Sequence, residues 1–296
     1  MHFLRQKRQR RKNKIVEKIP LEEIQLPSKK AKNENAYYTE FSKLKKSIPC
    51  WDSFFVVPEQ DRVHNWVRLE VLGNAMCEKY SWAVPDSRAL KILKNFSPLI
   101  EIGAGKGYIC KLLQDSGVDI VAFDREIDAS SAWANVKVGG PKKLLKPLAK
   151  GRNLLLCYPD EDSSLASQCL ANYDGDYILH MGELITTGQL SSPQAPWGRT
   201  TSADFQVSLM SDFHCVLVAE LPAFPFSRDC ISVWKRTDFV RGKESIDAEF
   251  GLDPDDDGKD TEGNGDSEED DSWASVPVSE RLPVTRAAKD FQHLLE

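Results

Sequence analysis

The residues best placed to do chemistry lie in one stretch, Leu99-Ile-Glu-Ile-Gly-Ala-Gly-Lys-Gly-Tyr108, and at the end of the next apolar run, Val118-Asp-Ile-Val-Ala-Phe-Asp124. Gly103, Gly105 and Gly107 give a GxGxG turn whose backbone lets a ligand approach closely. Asp124, 21 positions after Gly103, falls where the hydroxyls of a ribose would lie. Glu101 puts a carboxylate beside the turn, which suits a ligand bearing an ammonium or sulfonium and repels a pyrophosphate. Tyr108 occupies the third-glycine position of the hydride-transfer fingerprint GxGxxG, which disfavours a nicotinamide cofactor. Lys106 is not followed by Ser or Thr, so a P-loop is excluded.

The elements that position these residues follow from the apolar pattern. Strands are expected at 99–103, 119–123, 135–138, 153–158, 177–182, 214–220 and 230–235. Helices are expected at 107–116, from about 163, and near 202–211, with Gly117 as a helix stop and Asp86 as the N-cap of a short helix at 87–94. Asn153-Leu-Leu-Leu-Cys-Tyr158 reads as a central parallel strand buried on both faces. The 221–229 connection is too short for a helical crossover, so the last two strands must be antiparallel. The fold class is therefore α/β: a seven-stranded, mostly parallel, doubly wound sheet with helices on both faces and a reversed last strand at its edge.

Composition sets the ends apart. The net charge is −6, but residues 1–14 carry seven Lys or Arg and no acid, and 253–271 carry eleven acids against one Lys. Such blocks read as solvated and disordered, and the two could pair in cis. The organisation expected is a basic tail and linker (1–36), a helical cover rich in aromatics (37–98), the α/β domain (99–240), an acidic segment (241–282) and a short amphipathic C-terminal helix (283–296). The basic tail is a candidate nuclear-import signal or nucleic-acid arm. No apolar run approaches a membrane span and no signal peptide is visible. Seven cysteines in no metal-ligand spacing read as reduced thiols of an intracellular protein, cytoplasmic or nuclear, with no metal site. Oligomeric state does not follow from the chain.

With Glu101-Ile-Gly-Ala-Gly-Lys-Gly107 and Asp124, the chain resembles the class I (Rossmann-like) S-adenosylmethionine-dependent methyltransferases over about residues 80–236. Tyr80-Ser-Trp-Ala-Val-Pro85, Gly139-Gly-Pro141, Leu154-Leu-Leu-Cys-Tyr-Pro159 and Tyr177-Ile-Leu-His-Met-Gly-Glu183 resemble a poorly characterised eukaryotic and microbial branch. The resemblance implies S-adenosyl-L-methionine as cofactor and an acceptor of unknown class. It implies Glu101 near the methionine amine, Gly103, Ala104 and Gly105 as a backbone platform, with Gly107 completing the motif. It implies Asp124 on the ribose diol and Arg125 and Gly139 beside the adenine.

Amino methyltransferases place an Asn/Asp/Ser-Pro-Pro-aromatic turn after the fourth strand. Here Cys157-Tyr-Pro-Asp160 offers one proline and an aromatic in altered order. Catalytic candidates are Tyr158 as a stacking platform, Asp160 with Glu161 and Asp162 as an acidic lip, and Glu183 as base or anchor. Tyr80 and Trp82 could close over a sulfonium. Trp197, Phe224 and Phe226 lie on loops near the expected cleft, and His180 reads as a core histidine. Cys157 has no His nearby in sequence to activate it as a nucleophile. The alternative is a catalytically inactive homologue acting as a binding or scaffold module.

Overall fold

Aliphatic runs with no helical period form the sheet. Its strands are β1 (Leu99–Ile102), β2 (Ile120–Asp124), β3 (Lys137–Val138), β4 (Asn153–Cys157), β5 (Tyr177–Gly182), β6 (Phe213–Glu220), β7 (Cys230–Arg236) and β8 (Arg286–Ala287). The computed structural model describes residues 35–49, 51–56, 58–160, 163–184, 200–225, 227–237 and 285–296. The strand order is β3-β2-β1-β4-β5-β7-β6-β8, parallel from β3 to β5. The chain moves outward from β1 through β2 to β3, then returns to place β4 on the other side of β1. That reversal opens a crevice at the carboxyl ends of β1 and β4, where sheets of this kind hold ligands.

Two expectations about the sheet are corrected. It has eight strands among the described residues rather than seven, and two of them run against the rest: β7, which lies inside the sheet and not at its edge as expected, and β8, which forms the edge. β7 lies between β5 and β6 and is antiparallel to both. The 221–229 connection makes β6 and β7 a hairpin, and β7 uses its other side to pair with β5 from Tyr177↔Lys235 to Gly182↔Cys230. β6 is thereby left outermost, with unpaired backbone groups that β8 covers through Leu217↔Ala287 and Val218↔Arg286.

The short C-terminal helix expected within 283–296 is accordingly not an α-helix. β8 occupies its first residues and a 3-10 helix spans Lys289–Leu294. The Ala288 N–H donates to Val216 O at 2.7 Å. Phe291 packs against Phe96, and Leu294 is buried. Edge pairing and ring packing outweigh the weak helical preference of so short a segment.

Helices cover both faces. α3 (Ser87–Asn95) and α4 (Tyr108–Asp115) pack with the C-terminal segment on one side, and α5 (Leu165–Asn172) and α6 (Ala203–Asp212) on the other. The Asp86 side chain caps α3 through the Ala89 N–H at 2.7 Å, as its position predicts. Leu154, Leu155 and Leu156 of β4 are wholly buried between these layers. Ahead of the sheet, α1 (Ala36–Ser47) and α2 (Glu59–Lys79) form a cover whose core includes Tyr37, Phe41 and Leu69 and reaches Tyr108 and Leu112 of α4.

Candidate functional site

The glycine turn is built onto the end of β2. Gly103 and Ala104 both donate their N–H to Phe123 O, at 2.8 and 3.1 Å, and Gly107 N–H closes on Ala104 O at 2.8 Å. α4 starts at the next residue. Gly107 (φ +74°) must be glycine twice over, because a Cβ there would lie 2.5 Å from Val136 Cγ2. Gly105 (φ +54°) differs: a Cβ there would meet nothing within 4 Å. Gly105 also lines the cavity beside Glu101. Asp124 ties the turn to β2, with Oδ2 accepting from Gly105 N–H at 2.7 Å and Oδ1 from Glu126 N–H at 2.9 Å.

Tyr108, where the dinucleotide fingerprint has glycine, turns to the cover instead of to a tight helix–strand contact. Its hydroxyl accepts from Tyr37 N–H at 3.0 Å and donates to Asn35 Oδ1 at 3.1 Å. Its ring meets those of Tyr37, Tyr80 and Trp133 edge-on. Tyr108 thus joins the glycine turn to the N-terminal cover.

Between them lies a cavity of about 310 Å³ at the crevice between β1 and β4. Glu101, Gly103, Ala104, Gly105, Lys106 and Cys157 line it from the sheet, and Cys77, Tyr80 and Trp82 from the cover. Glu101 is 2% exposed, and its Oε2 has no hydrogen-bond partner among the described residues. Burial, with a smaller contribution from Asp124, pushes its carboxyl up to about 8. A buried carboxyl beside an open cavity, in no ion pair among the described residues, fits a ligand that brings a positive charge. The Cys157 thiol is pushed far up by burial, so it stays protonated and is no nucleophile.

The acceptor-side candidates come together, but Tyr158 is already engaged. Its hydroxyl donates to Asp229 Oδ1, and its ring stacks on Trp82 with centroids 6.2 Å apart. Tyr158 (φ +50°) and Asp160 (φ +82°) both hold left-handed backbone around Pro159. Glu183 follows β5, is buried, and lies close enough to Asp229 to raise its pKa. Asp229 is buried and pushed up to about 7, chiefly by burial, with Glu183 raising it further and the Tyr158 hydrogen bond opposing the shift.

Asp229 escaped the sequence reading, whose carboxylate candidates were all sought on or just after the parallel strands. Because β7 runs backwards, its first residues lie at the same end of the sheet as the last residues of β4 and β5. The short 221–229 connection was the signal that could have located it. Cys77 of the cavity wall carries no recognisable motif.

The remaining candidates are placed as follows. Gly139 sits against Asp124, its N–H donating to Asp124 O at 2.9 Å, and its missing Cβ leaves room for Phe123 and Lys143. Arg125 is 90% exposed and reaches Glu126 at 3.6 Å. Tyr80 and Trp82 line the cavity, but the Tyr80 hydroxyl is held by Glu40 at 2.9 Å. His180 is a core residue, as expected: its Nε2 meets Thr200 Oγ1 at 3.2 Å, and burial lowers its pKa to about 3. Phe224 is buried in the cover against Phe41 and Trp51. Glu161, Asp162, Trp197, Phe226 and the charged segments 1–14 and 253–271 lie outside the described residues.

No family model matches the chain, and no curated protein matches its sequence. Solved structures do. The O-methyltransferase TomG from Streptomyces achromogenes, in complex with SAM, is 14% identical over 67% of this chain and 99% of that one, with a TM-score of 0.39. An O-methyltransferase from Bacillus cereus in complex with SAH is 12% identical over 66% and 100% of the two chains, TM-score 0.38. Human N-acetylserotonin methyltransferase in complex with SAM is 17% identical over 68% and 67%, TM-score 0.35. Likeness of this degree does not fix an activity.

Proposed function

We propose that this chain binds S-adenosyl-L-methionine and transfers its methyl group to an acceptor. The observation that carries the reading is Glu101: a buried carboxyl, one oxygen of which has no hydrogen-bond partner among the described residues, at a cavity walled by the glycine turn, in the crevice where the strand order reverses. In this reading Glu101 takes the ammonium group of the methionine end. Gly103, Ala104 and Gly105 present bare backbone beneath the ligand, and Gly107 keeps the turn against Val136. Asp124, whose oxygens each accept one backbone N–H, has lone pairs left for a ribose diol. Gly139 and Arg125 border the adenine side. Trp82 supplies a ring face to the sulfonium, whereas the Tyr80 ring, stacked between Tyr37 and Trp133, serves as cavity wall.

The cofactor supplies a methyl group already activated by its positive sulfur. The protein has then to hold an acceptor in line, at about 3 Å, and keep water out. Tyr158, Asp160, Glu183 and Asp229 are the groups on the acceptor side. A nucleic-acid contact by the basic tail and a cytoplasmic or nuclear site of action belong to the same reading. The division into basic tail, helical cover, α/β domain and acidic segment belongs to this reading, with the C-terminal residues joined to the sheet instead of forming a separate helix. No helix among the described residues is long and apolar enough to cross a membrane.

Titration calorimetry with S-adenosylmethionine, its demethylated product and NAD tests the assignment. Micromolar binding of the first two, and none of NAD, is the expected pattern. A second reading keeps the cofactor but not the transfer. It is favoured by Tyr158, whose ring and hydroxyl are both occupied within the protein. Methyl transfer to any member of an acceptor panel that includes amines, phenols and oligonucleotides decides against it.

A further inference from the structure

A second concavity, of about 600 Å³, lies on the opposite side of the sheet from the cover. It is bounded by the 3-10 helices Pro141–Leu145 and Pro147–Ala149 and by the C-terminal end of α5. Its floor is apolar, with Leu144, Leu145, Pro147 and Tyr173, and Leu145 is 64% exposed. Its rim carries Lys146 and Lys150, with Asp174 the acidic group.

The surrounding charge is one-sided. From residue 129 to residue 159 the chain has six bases and no acid, although its net charge is −6. Arg152 is taken by Asp119 at 2.8 Å, and Lys143 lies over the Phe123 ring. Lys137, Lys142, Lys146 and Lys150 are exposed, with no carboxylate partner among the described residues. Exposed leucine beside unpaired lysines, on an acidic protein, fits an acidic peptide that also carries an apolar residue.

Such a peptide is tethered at the rim. The described chain leaves the sheet at Arg236, whose N–H donates to Asp176 O at 2.8 Å, while Nη2 and Nε donate to Tyr173 O and Gly175 O at 2.8 and 2.9 Å. Tyr173 is itself part of the concavity. Asp253 follows Thr237 by 16 residues. That length of chain reaches at most about 55 Å, ample for the distance. Residues 253–271 then bring eleven carboxylates against one Lys, with Trp273 just beyond.

We propose that this segment, residues 253–273, docks in the groove of its own chain. Its carboxylates pair with Lys146, Lys150 and Lys142, and Trp273 lies on the Leu145–Tyr173 floor. Tethering gives the segment an effective concentration of order mM, so a contact that is weak between separate molecules is filled within one.

The test is fluorescence anisotropy of a labelled peptide of residues 253–275, titrated with the full chain and with a chain lacking those residues. The shortened chain should bind the peptide, and the full chain about tenfold or more less tightly, because its own segment competes. The double substitution Lys146→Glu and Lys150→Glu in the shortened chain, on solvated side chains, should weaken binding about tenfold or more, and raised salt should do the same. Four results overturn the proposal. The shortened chain fails to bind; the double variant binds undiminished; binding is lost only when residues 1–14 are removed, which makes the basic tail the partner; or a single-stranded oligonucleotide occupies these lysines where the peptide does not. None depends on whether the protein binds S-adenosylmethionine.

Discussion

Gly105 donates its backbone N–H to Asp124 Oδ2 at 2.7 Å, so the carboxylate that closes β2 also holds the apex of the glycine turn. One side chain thereby fixes the turn and remains available to a ligand. Asp124→Ala removes both roles. Cofactor affinity should fall by about 1–3 kcal/mol, the cost of leaving hydroxyls and a backbone donor without a charged acceptor. Calorimetry reads this as roughly 5- to 150-fold in Kd; unchanged affinity contradicts the role.

Two alanine substitutions in the turn should separate folding from binding. Each forces left-handed backbone on a residue with a Cβ, at about 1–2 kcal/mol. Gly107→Ala also drives that Cβ to 2.5 Å from Val136 Cγ2, so thermal stability should drop well beyond that figure. Gly105→Ala places its Cβ in open space beside the cavity. Its melting temperature should fall modestly while cofactor binding is lost. Equal effects of the two on both measurements would show that the space at Gly105 is not ligand space.

Glu101 gives a proton signature. With its carboxyl pushed up to about 8, it is mostly protonated at pH 6.5 without ligand. Pairing with an ammonium favours the charged form, so cofactor binding should release a proton. Calorimetry at pH 6.5 in buffers of differing ionisation enthalpy measures it. Glu101→Gln should abolish the release and weaken binding. The same shift bears on stability. The folded pKa lies above the unfolded value of 4.5, so the ligand-free fold binds the extra proton and loses stability as pH rises from 4.5 through about 8. The Gln variant should lose that dependence.

The Tyr158–Asp229 hydrogen bond makes a separate claim. Tyr158→Phe deprives a buried carboxylate of a donor, leaving Ser227 Oγ at 3.4 Å. The cost should be about 1–3 kcal/mol of stability. Asp229 already sits at about 7 against an unfolded 3.8, so stability drains away as pH rises between those values. Without the tyrosine the folded pKa moves higher and the decline should extend past pH 7. Melting curves from pH 4 to 9 should show this, and Asp229→Asn should flatten the profile. A Phe variant with wild-type stability across that range would mean the hydrogen bond is not formed in solution.

Much of this site was legible in the chain because it is local. The turn from Glu101 to Gly107 and the carboxylate at Asp124 belong to one strand–helix–strand unit, and short-range spacing fixes their geometry. Asp229 was not legible in that way, since its place depends on β7 entering the sheet between β5 and β6. The edge position expected for the reversed strand failed for a related reason. Nothing local in Arg286-Ala287 announces that it will pair with β6 and so become the true edge. The cavity wall at Cys77–Trp82 likewise depends on the cover docking through Tyr108, a contact between residues far apart in sequence.

The central claim is that the cavity beside Glu101 receives a sulfonium nucleoside, and direct titration of the full chain measures this most plainly. S-adenosylmethionine and its demethylated product should bind at micromolar Kd, both weakened by Asp124→Ala, with no heat from NAD. Absence of binding by both adenosyl ligands, or tighter binding of NAD, would contradict the account.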